Sequence, residues 1–284
     1  MARTMRTPGP FLKWAGGKGQ LLAEILPRLP GEISGTYIEP FVGGGAVFFE
    51  LCRVERIARA RLCDTNGELV DAYRAVRDHV EDLIAALGAH VNEEAHYYEV
   101  RAKDPATMPL PERAARTLYL NRCGFNGLHR VNAAGQFNVP FGRYKNPRIC
   151  DPEGLRAASK ALARAELRVT DFAEACADAG PGDVVYFDPP YLPLSPTSNF
   201  TSYAKAGFGE AEHRRLAEVF AGCVARGAYV LLSNSDMPLA RELFDGFRIV
   251  TVQATRAINS KGDSRGKVNE ILVQGLERRE AAAG

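Results

Sequence analysis

The sequence predicts a mixed α/β protein, a mostly parallel sheet covered on both faces and interrupted by a largely helical insert. Three observations carry this. Short apolar runs alternate with helical patterns along most of the 284 residues. The first run ends in three consecutive glycines, Gly43 to Gly45. One long stretch, residues 69–146, holds no strand–helix unit.

The expected strands are Thr36–Phe41, Ala60–Cys63, Leu167–Thr170, Val184–Phe187, Tyr229–Leu232, Arg248–Gln253 and Val268–Val273. Each is a near-continuous apolar run bounded by turn residues, as strands buried on both faces are. Helical spacing falls between them over Ala46–Arg56, Glu68–Leu87, Pro152–Arg164 and Glu210–Arg226. The last two strands have only a short polar connection, which predicts an antiparallel hairpin at the sheet edge. Residues 1–68 and 147–284 are expected to form one discontinuous domain, with 69–146 inserted as a second.

Composition excludes several classes. Hydrophobic residues at 46% and charged residues at 25% give too much core for a disordered chain. No run approaches the roughly 18 apolar residues of a membrane helix, and Met1–Pro10 is not followed by the apolar core of a secretory signal. A cytoplasmic protein is expected. The six cysteines show no CxxC spacing and the five histidines no HExxH pattern, so no metal site or disulfide framework is expected. Isolated, reduced, partly buried thiols are.

Tyr37-Ile38-Glu39-Pro40-Phe41-Val42-Gly43-Gly44-Gly45 is a strand running through a glycine turn into a helix. Glycines there let backbone approach a ligand. The second strand ends in Asp64, whose carboxylate is placed to accept from ribose hydroxyls. Position 48 is Phe, so GxGxxG is not completed and an adenosine ligand without phosphates suits the turn better than a dinucleotide. The competing reading is a tight turn and a helix-capping acid. Asp171 and Phe172 follow the third strand and offer a carboxylate and a ring to an adenine.

Val184-Val185-Tyr186-Phe187-Asp188-Pro189-Pro190-Tyr191 is the most specific string in the chain. A buried strand delivers Asp-Pro-Pro-Tyr at its carboxyl end, where open α/β sheets bind ligands. Proline donates no hydrogen bond but keeps its carbonyl as an acceptor. The Asp188 carboxylate and a proline carbonyl can together accept both hydrogens of an exocyclic amine. Tyr191 offers a face on which a flipped base can stack.

The formal net charge is only +2, yet residues 113–148 hold seven Lys/Arg and no acid. With +7 in those 36 residues, the remaining 248 carry −5. Tyr119, Phe125, Phe137, Phe141 and Tyr144 interleave with the cations. Basic, aromatic and asparagine side chains together suit duplex DNA; a solvated charged face is the bland alternative.

Asp-Pro-Pro-Tyr, Glu-Pro-Phe-Val-Gly-Gly-Gly, Asp64, Thr170-Asp171-Phe172 and the N-terminal Phe11-Leu12-Lys13-Trp14-Ala15-Gly16-Gly17-Lys18 together resemble the D12-class DNA adenine methyltransferases of the Dam type, from about Phe11 to Gly275. The resemblance implies a Rossmann-like sheet that binds S-adenosylmethionine, with residues 69–146 as the DNA-recognition domain, and methylation of adenine in GATC by base flipping and direct in-line displacement. It places Trp14, Lys18, Glu39, Phe41, Gly43, Gly45, Asp64, Asp171, Phe172 and Asp188 at the cofactor. Asp188, Pro189, Pro190 and Tyr191 are then catalytic. Asn121–Arg130 and Phe137–Lys145 are similar to the family's recognition loop. By that match Arg130 reads a guanine, Leu128 and Pro140 touch thymine methyls, Phe125 and Asn126 lie beside the flipped base, and Lys13 meets the first base pair. Arg122, Asn138, Arg143 and Lys145 join them on double-stranded DNA. Phe125 stands where the family usually has tyrosine, which keeps stacking and removes a hydroxyl. Val131 stands where an aromatic is common.

Two further stretches are expected to serve DNA: Leu192–Phe208 as a loop ordering over the bound base, and Arg256, Lys261, Arg265 and Lys267 as phosphate contacts. A different DNA sequence, an RNA target, and a catalytically silent DNA-binding regulator are the competing readings. The intact Asp188–Tyr191 string weighs against the last, and Asp rather than Asn before Pro-Pro-Tyr weighs against protein acceptors.

Overall fold

The computed structural model describes residues 6–191, 208–255 and 267–275. They contain seven strands: β1 Tyr37–Glu39, β2 Ala60–Asp64, β3 Ala165–Val169, β4 Val184–Phe187, β5 Tyr229–Ser235, β6 Arg248–Thr255 and β7 Lys267–Gly275. The chain divides into two compact units. The first gathers residues 6–18, 43–55 and 64–169; the second gathers residues 19–42, 56–63 and the described residues from 170 onward.

Six of the seven strands run through the second unit in the order β2-β1-β4-β5-β7-β6. β2, β1, β4 and β5 are parallel, in the register Tyr37↔Ala60, Tyr37↔Val184 and Val184↔Tyr229. The expected edge hairpin forms, β6 antiparallel to β7 with Arg248↔Gln274. β7 lies inside it, antiparallel to β5 through Ser235↔Glu270. One face of this sheet packs Ile38, Val185, Phe187, Val230, Leu232, Ile271 and Val273 against Leu216, Phe220 and Cys223 of helix Glu210–Ala225. These side chains are at most 1% exposed, so each of the aliphatic and aromatic ones contributes roughly 1.5–3 kcal/mol of burial.

Regular structure in the first unit is mostly helical, with β3 as its strand and residues 128–150 outside any helix or named strand. Helix Leu110–Cys123 packs against helices Gly67–Asp78 and Val80–Gly88 and is buried over most of its surface. The single helix expected over Glu68–Leu87 is two. His79 leaves helical geometry (φ −137°, ψ 39°), and Glu81 and Asp82 then sit in the first turn of a new helix, where negative charge is favoured. The third strand starts two residues earlier than expected, at Ala165, and stops at Val169. Residues 192–207 of the expected loop, and Arg256, Lys261 and Arg265, lie outside the described residues, as does the Lys267 side chain.

Five of the six thiols are buried and Cys150 is half-buried. They are not all isolated: the Arg226 guanidinium reaches Cys223 Sγ at 3.3 Å and also donates to the Cys176 carbonyl.

Candidate active site and nucleic-acid surface

In the first unit the glycine turn takes the shape its sequence demands. Gly43 and Gly45 have φ of +45° and +66°, and a Cβ would fall 2.8 Å from Trp14 Cδ1 at Gly43 and 2.6 Å from Tyr73 Oη at Gly45. Neither space nor backbone admits a side chain. Tyr73 Oη donates to the Gly43 carbonyl at 3.0 Å. The Gly43 amide points at Asp64 Oδ2 at 3.4 Å, and the Asn66 amide donates to Oδ1 at 2.9 Å. Burial lifts the Asp64 carboxyl from its ordinary 3.8 to about 6, although these backbone donors pull the other way. Lys18 is 6% exposed and donates to the Gly16 carbonyl at 2.6 Å. Trp14 is half-buried, its ring 5.4 Å from that of His129.

The second unit holds the Asp-Pro-Pro-Tyr string. Asp188 follows β4 directly, and Ser233 Oγ on β5 donates to its Oδ1 at 2.9 Å. Tyr186 Oη lies 2.9 Å from the same hydroxyl. Since Ser233 has one proton and gives it to the carboxylate, Tyr186 is the donor in that pair. Tyr191 Oη donates to Glu270 Oε2 on β7 at 2.6 Å. Tyr37 Oη donates to Glu39 Oε2 at 2.9 Å, and Glu39 is 3% exposed. Burial, reinforced by neighbouring carboxylates, holds the Tyr37, Tyr186 and Tyr191 phenols well above their ordinary range, so all three remain protonated donors.

Phe172 and Asp171 both meet Arg215. The Phe172 ring is 3% exposed, stacked on Phe41 at 5.4 Å with the Arg215 guanidinium 4.4 Å over it. Asp171 caps Ala173 through its backbone amide and forms a two-pronged pair with Arg215. Arg215, a residue with no local signal in the sequence, thus lies beside both groups expected to meet an adenine.

Residues 113–148, expected to meet DNA, belong to the first unit. Asn121 is their clamp: Nδ2 donates to the carbonyls of Lys13 (2.7 Å) and Gly127 (2.9 Å), and Oδ1 accepts from the Lys13 amide at 2.8 Å. Phe125 is 50% exposed at the tip. Asn126 takes a left-handed conformation (φ 54°) and its amide donates to Tyr144 Oη. The Lys13 ammonium lies 4.9 Å over the Tyr144 ring. Arg130 is exposed and bonded to Asn138, Nε to Oδ1 at 2.6 Å and Nη2 to the carbonyl at 3.1 Å. Leu128 is half-buried, while Pro140, Arg143 and Lys145 are exposed. Lys13, Arg122, Lys145 and Arg148 line a cavity of 430 Å³, with the Arg122 Nη2 also donating to the Phe11 carbonyl.

The +7 of this segment overstates its free charge. Arg113 pairs with Asp71 at 2.9 Å, and Arg116, 3% exposed, pairs with Glu68 at 3.2 Å. Arg143 also meets Glu94 at 3.6 Å and Arg148 meets Asp151 at 3.0 Å, so four of the seven cations pair with acids outside the segment.

Residues 14–258 match the model of the D12 class N6 adenine-specific DNA methyltransferases. The chain belongs to that family. It is 45% identical over 272 residues to the type II methyltransferase M1.LlaDCHI of Lactococcus lactis subsp. cremoris, covering 93% of this chain and 94% of the relative. It is 41% identical over 282 residues to the type II methyltransferase M.MjaIII of Methanocaldococcus jannaschii (93% and 98%), and 40% identical over 267 to the DNA adenine methylase of Escherichia coli K12 (92% and 93%). This chain is accordingly an adenine-specific DNA methyltransferase, and its α/β architecture is the one such a methyltransferase uses. Among the described residues no helix is long and apolar enough to cross a membrane.

Ser233, Glu270, Tyr73 and Arg215, the supporting side chains, carry no sequence signal; Asn121 lies in the loop string but nothing in the sequence marks it as a clamp. The first four each lie far along the chain from the group they hold.

Proposed function

We propose that this methyltransferase acts on adenine in GATC duplexes, flipping the base and passing a methyl group directly to its exocyclic amine. The observation that supports this most is Asp188. Ser233 fixes its carboxylate at the carboxyl end of β4, 2.9 Å away, and Tyr186 steadies Ser233 in turn. Asp188 and the Pro189 carbonyl accept the two amine hydrogens, which turns the nitrogen lone pair out of conjugation with the ring. Tyr191 gives the flipped base a face, its rotation limited by the bond to Glu270; Pro190 keeps the turn rigid. Positioning and electrostatics carry the rate. No Pro-Cys dipeptide is present to supply a thiolate nucleophile.

S-Adenosylmethionine, when bound, supplies the methyl on a sulfonium. The residues suit it: Gly43 and Gly45 let the turn close tightly against Trp14 and Tyr73, and burial raises the Asp64 carboxyl even with backbone amides donating to it, so further donors such as ribose hydroxyls would favour its ionised form. Trp14, Lys18, Glu39, Phe41, Gly43, Gly45, Asp64, Asp171, Phe172 and Asp188 are the residues we assign to that cofactor. Within 69–146, the proposed recognition domain, Arg130 reads a guanine as a bidentate donor. Leu128 and Pro140 meet thymine methyls, and Phe125 with Asn126 fills the gap beside the flipped base. Lys13, Arg122, Asn138, Arg143 and Lys145 complete the contacts to the duplex, and the cytoplasm is where that duplex is met.

Single-molecule sequencing of DNA from a methylation-deficient host expressing this chain tests the reading. Modified adenine confined to GATC is expected. Another recognised sequence would overturn the GATC assignment, and unmodified DNA the methylation itself.

A further inference from the structure

Tyr144 is a joint within the residues expected to meet DNA. Its hydroxyl accepts from the Asn126 amide at 2.9 Å, and the Lys13 ammonium lies 4.9 Å over its ring. The ring reaches both by folding back over Gly142, where a Cβ would fall 2.6 Å from Tyr144 Cε2. Arg143, between the two, is left-handed at φ 54°. That conformation is uncommon for a residue with a long side chain and persists only where the surroundings fix it.

Both neighbours of Arg143 are pinned. The Gly142 amide donates to the Cys123 carbonyl at 2.7 Å. The Tyr144 carbonyl accepts from Asn92 Nδ2, also at 2.7 Å and from 52 positions upstream. Asn92 lies in residues 89–93, between helices Val80–Gly88 and Glu94–Ala102. Its own loop is braced. The His90 ring stacks on Tyr119 at 4.4 Å, His90 Nδ1 lies 3.0 Å from His96 Nε2, and the Val91 carbonyl accepts from Tyr119 Oη at 2.8 Å. Tyr119 is buried in helix Leu110–Cys123. Asn92 Oδ1 is buried with no hydrogen-bond partner among the described residues. An acceptor unpaired in this way is costly, and it is tolerated where the nitrogen of the same amide reaches Tyr144.

We propose that Asn92 is a positioning residue for DNA recognition: its bond to the Tyr144 carbonyl holds Arg143 left-handed and so presents the Tyr144 ring to Lys13 and Asn126. This rests on the reading in which Lys13 meets a base pair of the target. Arg130 lies outside the linkage, because its guanidinium is bonded to Asn138 instead. Loss of Asn92 therefore blunts discrimination at the base pair that Lys13 meets and spares the one that Arg130 reads.

The test uses Asn92→Leu and Asn92→Asp in the full chain. Leucine keeps the shape of the amide and loses its donor. Aspartate loses the donor too, and its added charge weakens every DNA sequence alike, which cancels in a ratio of rates. Single-turnover methyl transfer is measured on the duplex the parent methylates and on duplexes substituted at one base pair each, with Lys13→Ala alongside to identify the pair that lysine meets. At that pair the preference for the parental sequence is expected to fall about 3- to 10-fold, the scale of one hydrogen bond. Preference at the pair lost in Arg130→Ala, and affinity for S-adenosylmethionine, are expected to stay unchanged. Asn92→Leu added to Tyr144→Ala is expected to cost nothing further, as groups acting through one another do. Parental preference in a folded Asn92 variant, equal slowing on every duplex, or additive losses in the double variant would overturn the proposal. So would failure of both variants to fold, which would make Asn92 a stability residue. If Lys13→Ala changes preference at no base pair, the Lys13 reading fails instead, and that control shows it separately.

Discussion

At the carboxyl ends of β4 and β5, polar side chains are bonded to one another inside the sheet. Tyr186 holds Ser233, Ser233 holds Asp188, and Glu270 of β7 holds Tyr191. Residues 113–148 treat their polar side chains in two ways. Arg113 and Arg116 turn inward onto Asp71 and Glu68, while Arg130, Arg143 and Lys145 stand exposed. The reaction motif is thus assembled by strands that cannot move independently. Residues 113–148 have a buried helical root and an exposed tip. Preorganised polar groups suit chemistry, and exposed cations with few internal bonds suit a partner that must be read by contact.

The comparison breaks first at Asp188. Asp188→Ala is expected to reduce labelled-methyl transfer by about 10²–10³-fold or more, the scale of losing a preorganised group at the reacting atoms, while duplex binding in a gel-shift assay survives. A matching loss of binding would mean that the two regions do not divide the work as described.

Arg116→Ala should act on the root alone. Leaving Glu68 without its buried partner is expected to cost about 3 kcal/mol of stability in denaturant unfolding. The surviving folded fraction should keep its sequence preference.

Arg130→Ala is expected to leave stability unchanged and to cost about 1–3 kcal/mol of discrimination at a single base pair, read from methylation rates on singly substituted duplexes. Equal slowing on all duplexes would reassign Arg130 to the backbone.

The smallest effect is a pH dependence at Asp64. Its carboxyl is raised in the folded state to about 6, so the ligand-free protein has its full stability below about 4 and loses some as pH rises through about 6. Ribose hydroxyls favour the ionised form, so cofactor affinity should move oppositely, strengthening up to tenfold per pH unit as pH rises to about 6 and levelling off above it. Titration calorimetry across pH 5–8 would show this, and Asp64→Asn should bind weakly with no such slope.

The sequence is most informative where one residue type has one meaning. β4 is found residue for residue because an all-apolar run ends in Asp-Pro-Pro, which no strand can continue. Gly43 and Gly45 are legible because only glycine suits their positive φ and the closeness of Trp14 and Tyr73. The break at His79 is not: Leu69, Tyr73, Val76, Leu83 and Leu87 are all buried at an unbroken helical spacing across two helices. Nor is the placement of β7 beside β5, since either strand of the last hairpin is apolar enough to take that position. The partners of the site are hidden for a different reason. Ser233 and Asp188 are 45 residues apart, and Tyr191 and Glu270 are 79 apart. A serine in an apolar strand or a glutamate in an edge hairpin acquires a role only once the sheet is formed.

β7, which lies between β5 and β6, has a consequence during synthesis. The emerging chain releases β6 before the strand that pairs with it, and the flank of β5 remains without hydrogen-bond partners until Lys267–Gly275 has left the ribosome. Two unpaired apolar edges in one nascent chain are an invitation to associate with other chains. A ribosome stalled or terminated just short of Lys267 would therefore yield a sticky, unfinished sheet whose Tyr191 has no Glu270 to meet, rather than a slightly shortened enzyme.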